Sequence, residues 1–306
     1  MARNKQDKPI HQLTAAQFDA MFPNEQACCA YLIGKRWPEG VRCPRCGAEN
    51  PTALKNNPNH WQCYECARET SYRFSHLTGT IFENTNKPLK DWFRVIHLML
   101  TSKKGMSALQ IYRFLGFGSY KTAWSMCHRV RTALADRNFE KLAGIVEVDE
   151  TFIGGKAKNR HKGDRDGGVG PGGPTVGKAI VAGAVRRKGS VVARVIANTK
   201  ASTLTGFVNE AVSTKVSLLC TDQWKGYMNL GSAFPHETVD HHNGQYVIGA
   251  VHTNTIEGFW SLIKRGMVGT FHKVSKKYLP LYVAEFQFRY NNRLNSDIFG
   301  TAIREC

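Results

Sequence analysis

Two pairs of cysteines near the start of the chain have the C-x2-C spacing of metal-binding turns. Cys43 and Cys46 form the first pair, and Cys63 and Cys66 form the second after 16 intervening residues. A C-x2-C turn brings two thiolates to one tetrahedral Zn²⁺ ion without strain, and two such turns complete the four ligands. The spacing therefore predicts a zinc ribbon over residues 40–84 with one structural Zn²⁺ per chain.

Two disulfides are the alternative use of the same four cysteines, and they would suit a secreted protein. The segment from Met1 to Lys8 is polar, and the apolar run of a secretory signal does not follow it. The remaining cysteines are odd in number and scattered, at Cys28, Cys29, Cys127, Cys220 and Cys306. Both observations favour reduced thiols, a zinc site and residence in the cytoplasm.

The charge balance indicates a polyanionic partner. The chain of 306 residues has 42 Lys and Arg against 24 Asp and Glu, a formal net charge of +18. Such a field attracts the phosphate backbone of nucleic acids, because each neutralised phosphate releases a counterion. A membrane is the weaker alternative, since no apolar run approaches the roughly 18 residues that span a bilayer. The length predicts a globular protein with room for two domains.

The N-terminal part reads as helical on both sides of the ribbon. Thr14 and Asn24 are N-cap residues for two short helices within residues 1–39. Within residues 85–140, an apolar helix is followed by the helix Ser107–Leu115, a break at Gly116, and a helix from Ser119 to Ala135. This order predicts a helix-turn-helix-like DNA-binding segment. Its second helix would offer polar and basic side chains to DNA: Lys121, Thr122, Ser125, His128, Arg129 and Arg131. An ordinary helical hairpin with solvated basic residues fits the spacing equally well.

From Gly144 the pattern changes to that of an α/β domain, which we place at residues 141–306. Residues 71–82 before it also read as β-rich. The predicted elements are the strands Ile145–Ile153, Ala179–Val185, Val191–Ile196 and Val216–Thr221, and the helices Leu204–Val212, Thr253–Arg265 and Tyr278–Arg293. This order predicts a β-hairpin followed by a βαβ crossover. Residues 156–174 are rich in Gly and charge and predict a disordered basic loop.

Three acidic residues stand where buried structure is expected to end. Asp149 lies inside the first strand, Asp222 follows the strand Val216–Thr221, and Glu257 lies in the first turn of a late helix. An unpaired carboxylate beside a hydrophobic strand is costly to desolvate, so bound divalent cations explain a cluster of three. Two Mg²⁺ or Mn²⁺ ions would activate an attacking oxygen and stabilise a leaving one.

Each acid also has an ordinary structural interpretation. Glu147 and Asp149 lie on one face of the strand, so spacing alone leaves the choice between them open. Asp222 would suit the start of a turn. Glu257 lies three residues after Asn254, which is the spacing of a capping box.

The helix Thr253–Arg265 has two distinct faces. Its apolar stripe is Ile256, Phe259, Trp260 and Ile263, and its polar stripe is Asn254, Glu257, Ser261 and Lys264. One polar stripe thus carries both a carboxylate and an ammonium group. Lys264 would hold a phosphate near the metal ions, or else pair with solvent-facing neighbours on the helix.

Five motifs carry a resemblance to a known family. They are Arg36-Trp37-Pro38 leading into Cys43-Pro44-x-Cys46-Gly47, then residues 77–82, 148–155, 221–227 and 252–260. With them the chain resembles the bacterial insertion-sequence transposases that join an N-terminal zinc ribbon to an RNase H-like DDE core. The resemblance implies an α/β fold with an RNase H-like mixed sheet flanked by helices. It also implies a protein of the bacterial cytoplasm, associated with the nucleoid.

The resemblance assigns roles to the acids. It implies that Asp149, Asp222 and Glu257 are the DDE residues that hold Mg²⁺, which selects Asp149 over Glu147. Lys264, seven positions after Glu257, is the basic residue typical of such elements. Related transposases can use Asn at the third position, and Asn254 is expected to support Glu257.

The resemblance also implies the partners. Double-stranded DNA, as terminal inverted repeats and as target, would be cut at the element's ends and joined through its 3′-hydroxyl. Lys156, Lys225 and Arg265 are expected to hold DNA backbones, and a homo-oligomer is expected to bring two ends together. A zinc-containing DNA-binding regulator without catalysis and an RNase H-like nuclease without strand joining remain as alternatives.

Overall fold

The computed structural model describes residues 14–66, 72–135, 139–155, 177–239 and 252–306. The predicted basic loop at 156–174, with Lys156, lies outside the described residues. The chain divides into two compact units, Met1–Leu134 with Leu294–Cys306 and Ala135–Arg293. The C-terminal segment therefore belongs to the first unit, which corrects the predicted extent of the α/β domain.

The first unit begins with two capped helices, α1 (Ala15–Met21) and α2 (Glu25–Arg36). Thr14 and Gln17 form a capping box at α1, and Asn24 accepts a hydrogen bond from the Ala27 N–H at α2. Both predicted N-caps are confirmed. A last helix, α9 (Ile298–Glu305), places the Phe299 ring against Phe18, Phe22 and Phe93. These aromatic contacts hold the C-terminal segment in this unit.

The ribbon is a small antiparallel sheet of β1 (Thr52–Ala53), β2 (His60–Cys63) and β3 (Tyr72–Ser75). The β-rich stretch predicted for residues 71–82 is wrong beyond Ser75. There the Ser75 N–H donates to Thr78 Oγ1 at 2.9 Å, and the chain turns instead of extending.

Three further helices complete the first unit: α3 (Leu89–Thr101), α4 (Ala108–Leu115) and α5 (Tyr120–Ala133). A capping box between Ser107 and Gln110 begins α4, and Gly116 ends it at a φ of 65°. Ser119 accepts from the Lys121 N–H and begins α5. The predicted pair of helices with a glycine turn is confirmed as local structure, because each boundary residue makes the cap that its chemistry favours.

The second unit contains a five-stranded mixed sheet. Its strands are β4 (Leu142–Ile153), β5 (Ala179–Arg186), β6 (Val191–Ile196), β7 (Val212–Asp222) and β8 (His236–Val239). They lie in the order β6-β5-β4-β7-β8. Strand β4 pairs antiparallel with β5 and parallel with β7; β5 pairs antiparallel with β6, and β7 parallel with β8. The predicted RNase H-like mixed sheet flanked by helices is confirmed.

Helices cover this sheet on both faces. Helix α6 (Ala201–Ala211) and the 3-10 helix Lys225–Ser232 share one core with Val146 and Val148 of β4. On the other face, α7 (Asn254–Gly266), which continues as a π-helix over Met267–Phe271, and α8 (Leu279–Asn291) share a second core with β5 and β6. Alternation along β4 therefore turns its odd-numbered residues toward α7. None of the helices in the described part of the chain has the length and apolar character needed to cross a membrane.

Candidate active site

The four ribbon cysteines converge on one point. Their sulfur atoms all lie within 4.8 Å of one another, with Cys43 and Cys66 at 3.5 Å and Cys46 and Cys63 at 3.6 Å. A disulfide needs about 2.05 Å, whereas sulfurs on one Zn²⁺ at about 2.3 Å lie roughly 3.8 Å apart. None of the nine cysteines, which all lie in the described residues, forms a disulfide. The disulfide alternative is therefore wrong, and the donor set fits Zn²⁺.

The surroundings of the cysteines support the same conclusion. Cys43, Cys63 and Phe74 form a small buried core that Trp37 and Trp61 cover. Burial opposes the charged form of Cys43, but backbone N–H groups of Cys46 and Arg45 outweigh it and lower the pKa of this thiol to about 7. The first turn is thus prepared to hold a thiolate.

Asp149 lies near the centre of the sheet and faces α7. Its Oδ2 accepts a hydrogen bond from Trp260 Nε1 at 2.9 Å. Its cross-strand partner on β5 is Gly183, where an added Cβ would lie 2.5 Å from the Trp260 ring. The glycine opposite Asp149 therefore makes room for the indole that holds this carboxylate.

Asp222 is the last residue of β7. The parallel register pairs Glu147 with Cys220, so Asp149 and Asp222 lie two residues further along their neighbouring strands. Asp222 Oδ1 accepts from the Trp224 N–H at 3.1 Å, which confirms the predicted turn directly after the strand. This turn and the metal-binding hypothesis are compatible, because a carboxylate has several acceptor positions.

The start of α7 distinguishes Glu147 from Asp149. Glu147 is fully buried and accepts from the backbone N–H groups of Thr255 at 2.7 Å and Ile256 at 3.1 Å. Arg187 Nε donates to its other oxygen at 2.7 Å. Glu147, on β4, thus caps the N-terminus of α7. Both of its carboxylate oxygens already accept hydrogen bonds, so Glu147 is less suited than Asp149 to bind a metal ion.

Glu257 lies on the exposed side of the first turn of α7, where Thr253 Oγ1 donates to its Oε1 at 3.1 Å. The capping box with Asn254 is wrong, because the N-cap is Thr253 and no side chain caps the helix from within its own segment. The two predicted stripes are confirmed: Asn254, Glu257, Ser261 and Lys264 are exposed, and Ile256, Phe259, Trp260 and Ile263 are buried.

Asp149, Glu257 and Lys264 line a shallow pocket of about 370 Å³, and Asp222 is not one of its lining residues. Its walls are Asp149, Glu150, Thr151, Glu257, Trp260, Ser261, Lys264 and Arg265. Burial, followed by the charges of Asp222 and Glu257, raises the pKa of Asp149 to about 6. Burial, followed by the charges of Asp149 and Asp222, raises the pKa of Glu150 to about 7, although Tyr227 donates a hydrogen bond to it. The carboxylates are close enough to repel one another, and a cation would relieve that repulsion.

The acids do not converge as tightly as the thiols. Among the described residues, the four cysteines are the only group of at least three candidate ligands whose atoms all lie within 4.8 Å. In a two-ion site the cations lie about 4 Å apart, and each Mg–O bond is about 2.1 Å long. Ligand oxygens on opposite sides of the ion pair can therefore lie roughly 8 Å from each other. An open arrangement of carboxylates fits a two-ion site better than a single-ion cage.

Comparison with known proteins identifies both parts of the chain. The ISXO2-like transposase domain matches residues 141–291, and the transposase zinc-ribbon domain matches residues 23–69. The chain belongs to the insertion-sequence transposases. A relative from Halobacterium salinarum, described as an uncharacterized protein in transposable element ISH50, is 29% identical over 281 residues, which cover 88% of this chain and 91% of the relative.

One solved structure was also compared with the transposase. A chain of the simian T-cell lymphotropic virus intasome in complex with the PP2A regulatory subunit B56 gamma aligns over 62% of the transposase and 69% of its own length. The identity is 15% and the TM-score is 0.29.

The helix-turn-helix-like segment of the transposase exposes only part of the predicted DNA-binding set. Lys121 and Ser125 are exposed and Thr122 is half-buried. Arg131 is 1% exposed and His128 is buried, so their prediction as DNA contacts is wrong for this fold. Arg129 is half-buried; it donates to the Glu83 carbonyl at 2.8 Å and lies over the Trp92 ring. The face of α5 that carries these three side chains packs into the first unit.

Four residues beside the acids were not recognised from the sequence of the transposase. The sequence predicts Trp260 only as part of an apolar stripe, and Gly183 stands within a run of small and β-branched residues. Glu150 and Tyr227 form a hydrogen bond across 77 positions of sequence. The helical spacing of Trp260 from Glu257 was a usable signal, whereas nothing in the local sequence links Tyr227 to Glu150.

Proposed function

We propose that this transposase cuts DNA at the ends of its element and joins the resulting 3′-hydroxyl to target DNA, using two Mg²⁺ or Mn²⁺ ions held by Asp149, Asp222 and Glu257. The observation that carries the proposal is the pKa of Asp149, which burial and then the charges of Asp222 and Glu257 raise to about 6, beside a pocket that Glu257 and Lys264 also line. Such a site favours divalent cations, which the phosphates of DNA would also ligate.

Each acid has a defined support. Asp149 stands on the central strand β4 with Trp260 fixing one oxygen. Asp222 ends the adjacent strand and is oriented by its own turn. Glu257 faces solvent from the first turn of α7, and Asn254 precedes it on the same stripe. When bound, the ions supply the activation of water and the stabilisation of the leaving oxygen.

Lys264 follows Glu257 along the exposed stripe and lines the same pocket. An ammonium group there attracts a phosphate without competing for the cations, because it carries the opposite charge to the carboxylates. We assign Lys264 to the scissile or an adjacent phosphate. Arg265 beside it and the exposed Lys225, which follows Asp222 by three positions, hold DNA backbones close to the acids, with Lys156 in the same role.

End recognition belongs to the first unit in this proposal. The zinc ribbon and the α4–α5 pair would dock terminal inverted repeats, with Lys121, Thr122 and Ser125 toward DNA. A structural Zn²⁺ holds the ribbon, and a homo-oligomer on the nucleoid holds two ends together. The corresponding domains are residues 1–39, 40–84, 85–140 and 141–293, with 294–306 returning to the first unit.

A supercoiled plasmid carrying labelled element ends, with Mg²⁺ or Mn²⁺, tests the proposal. We expect Asp149→Asn, Asp222→Asn and Glu257→Gln each to reduce end cleavage by about 10³-fold, as loss of several kcal/mol of metal-ion stabilisation requires. End binding measured by gel shift should stay within a few-fold of the unmodified protein. Glu237→Gln, an exposed acid on β8, is the matched control and should cleave normally.

The outcomes separate the candidate functions. Cleavage retained by any of the three variants removes that residue from the site. Binding without cleavage by the unmodified protein would indicate a regulator, and nicking without joining would indicate a nuclease.

A further inference from the structure

One hydrogen bond links the two segments that carry Asp149 and Asp222. The Tyr227 hydroxyl donates to Glu150 Oε2 at 2.6 Å. Glu150 follows Asp149 on β4, and Tyr227 stands in the 3-10 helix that follows Asp222. The Tyr227 side chain is fully buried and Glu150 is half-buried, so this bond is partly shielded from water. Hydrogen bonds to a carboxylate in such surroundings are among the stronger ones in proteins.

The bond lies where the sheet itself stops joining these strands. The β4–β7 ladder runs from the Leu142–Val212 pair to the Glu147–Cys220 pair. Asp149 and Asp222 both lie two residues beyond its last described pair. No described β4–β7 pair joins these two residues directly, so a side-chain contact beyond the ladder adds to what the backbone fixes about their separation.

The contact reaches each acid through short, rigid steps. On one strand, Glu150 is the covalent neighbour of Asp149. On the other side, the Tyr227 N–H donates to the Trp224 carbonyl at 2.9 Å, and the Trp224 N–H donates to Asp222 at 3.1 Å. The path from Asp149 to Asp222 thus runs through Glu150, Tyr227 and Trp224.

Two consecutive residues of β4, Asp149 and Glu150, accept hydrogen bonds on opposite faces of the sheet. Asp149 faces α7 and accepts from Trp260, while Glu150 faces the opposite core and accepts from Tyr227. Opposed contacts at consecutive residues resist both translation and rotation of the strand. The position of the Asp149 carboxylate is consequently set from both sides of the sheet.

We propose that Tyr227 and Glu150 are positioning residues that set the distance between Asp149 and Asp222 for the cation pair they share. The inference rests on the function proposed above and deepens it. Glu150 lines the pocket, but its role is to accept the hydrogen bond from the Tyr227 hydroxyl and not to bind a metal ion. The nearest alternative, in which Glu150 is a fourth metal ligand, makes the opposite prediction for its amide variant.

The test is the Mg²⁺ dependence of end cleavage by the full-length, zinc-loaded protein. Tyr227→Phe removes the hydroxyl and keeps the ring, so we expect the Mg²⁺ concentration for half-maximal cleavage to rise about 10-fold, as loss of one hydrogen bond to a charged group predicts. Saturating Mn²⁺ should restore most of the rate, since it tolerates less ideal geometry. Glu150→Gln keeps an oxygen that accepts from Tyr227 and should stay within about 3-fold of the unmodified protein. Tyr290→Phe on α8 is the matched control.

A purely structural role would not produce this pattern. Loss of one hydrogen bond should lower the melting temperature of Tyr227→Phe by no more than about 5 °C, while its end binding stays unchanged and its Mg²⁺ dependence shifts. If Tyr227→Phe does not fold, Glu150→Ala keeps the tyrosine ring in the core and must show the same shift.

Two results would overturn the inference. One is an unchanged Mg²⁺ dependence in the Tyr227→Phe variant, or in Glu150→Ala where it is the variant that folds. The other is a Glu150→Gln variant as inactive as Asp149→Asn, which would make Glu150 a ligand. If Asp149→Asn itself cleaves normally, the proposed function fails regardless of Tyr227. If Asp149→Asn is inactive while Tyr227→Phe behaves normally, only the positioning role fails.

Discussion

The cysteine site of the first unit and the carboxylate site of the second unit are both suited to metal ions, but the fold prepares them differently. The four sulfurs already lie within 4.8 Å of one another, at spacings close to those around Zn²⁺. The carboxylates remain further apart and raise one another's pKa. The first site is a structural one that the local fold closes, and the second is an open one that two cations and a phosphate would complete.

The difference follows from the chemistry of the ligands. Without metal the thiols carry little charge: the pKa of Cys43 is about 7, burial raises that of Cys63, and the Cys46 thiol and burial raise that of Cys66 to about 12. They therefore pack beside Phe74, Trp37 and Trp61 at little electrostatic cost. Carboxylates without metal are charged, and a sheet end that brought them into contact would be strained by repulsion. Separate scaffold contacts therefore hold each acid, through Trp260 for Asp149 and through the turn at Trp224 for Asp222.

The largest expected effect comes from removing zinc. Structural Zn²⁺ contributes about 10–16 kcal/mol of binding energy in zinc-finger peptides, so we expect Cys43→Ser or strong chelation to unfold residues 40–66 and abolish end binding. Withdrawal of Mg²⁺ alone should leave the fold of both units unchanged. Hydrogen exchange of ribbon amides measures both effects, and Cys29→Ser in α2 is the control. Ribbon amides that stay protected after zinc removal would contradict the structural role of the metal.

A smaller loss of end cleavage is expected from Gly183→Ala. This variant tests whether the Trp260 contact positions the Asp149 carboxylate. Gly183→Ala places a methyl group 2.5 Å from the present position of the Trp260 ring, so the indole must move away from Asp149. We expect end cleavage to fall about 10- to 100-fold, the equivalent of 1.4–2.8 kcal/mol. Gly206→Ala on α6, where the added Cβ meets no atom within 4 Å, is the control and should cleave normally. Equal rates for the two variants would show that the Trp260 contact is dispensable.

The smallest effect is a gain in stability from Asp149→Asn without Mg²⁺. The pKa of Asp149 is raised from 3.8 to about 6, so the folded state holds this proton more tightly than the unfolded state. The charged carboxylate therefore lowers stability progressively as the pH rises from about 4 to 6, and the cost is complete above that. At pH 7.5, Asp149→Asn should raise the free energy of unfolding by on the order of 1 kcal/mol, after allowance for partial solvent screening. The gain should vanish at pH 4. Equal stability of the two proteins at pH 7.5 would contradict a cost of burying the charged Asp149 carboxylate beside Asp222 and Glu257.

Much of the fold followed from local sequence signals. Thr14, Asn24, Ser107 and Ser119 begin their helices because each side chain caps a backbone N–H, and Gly116 ends α4 in a left-handed conformation. Runs of apolar and β-branched residues located β5 and β6 within one residue at each end and β4 within three. The stripes of α7 were predicted correctly, since helical periodicity is itself a local property.

The elements that were missed depend on distant partners. Strand β8 has four residues, and its pairing with β7 defines it. Helix α9 is held by Phe299 against aromatic residues from the start of the chain. The same reason explains the error at Arg131, because the spacing of basic residues on α5 does not reveal which side packs inward. At the candidate site, the residue types were predictable, but the contacts of Glu147, Gly183 and Tyr227 arise only when the sheet is assembled.

The most direct test of the shared cation site is a Mn²⁺ titration of the zinc-loaded protein bound to an end duplex, followed by electron paramagnetic resonance. We expect the unmodified protein to bind two Mn²⁺ ions per chain with the magnetic coupling of ions about 4 Å apart. Asp149→Asn and Asp222→Asn should each lose that coupling and bind Mn²⁺ at least about 10-fold more weakly. Unchanged stoichiometry, affinity and coupling in both variants would contradict the assignment of these acids to one metal site.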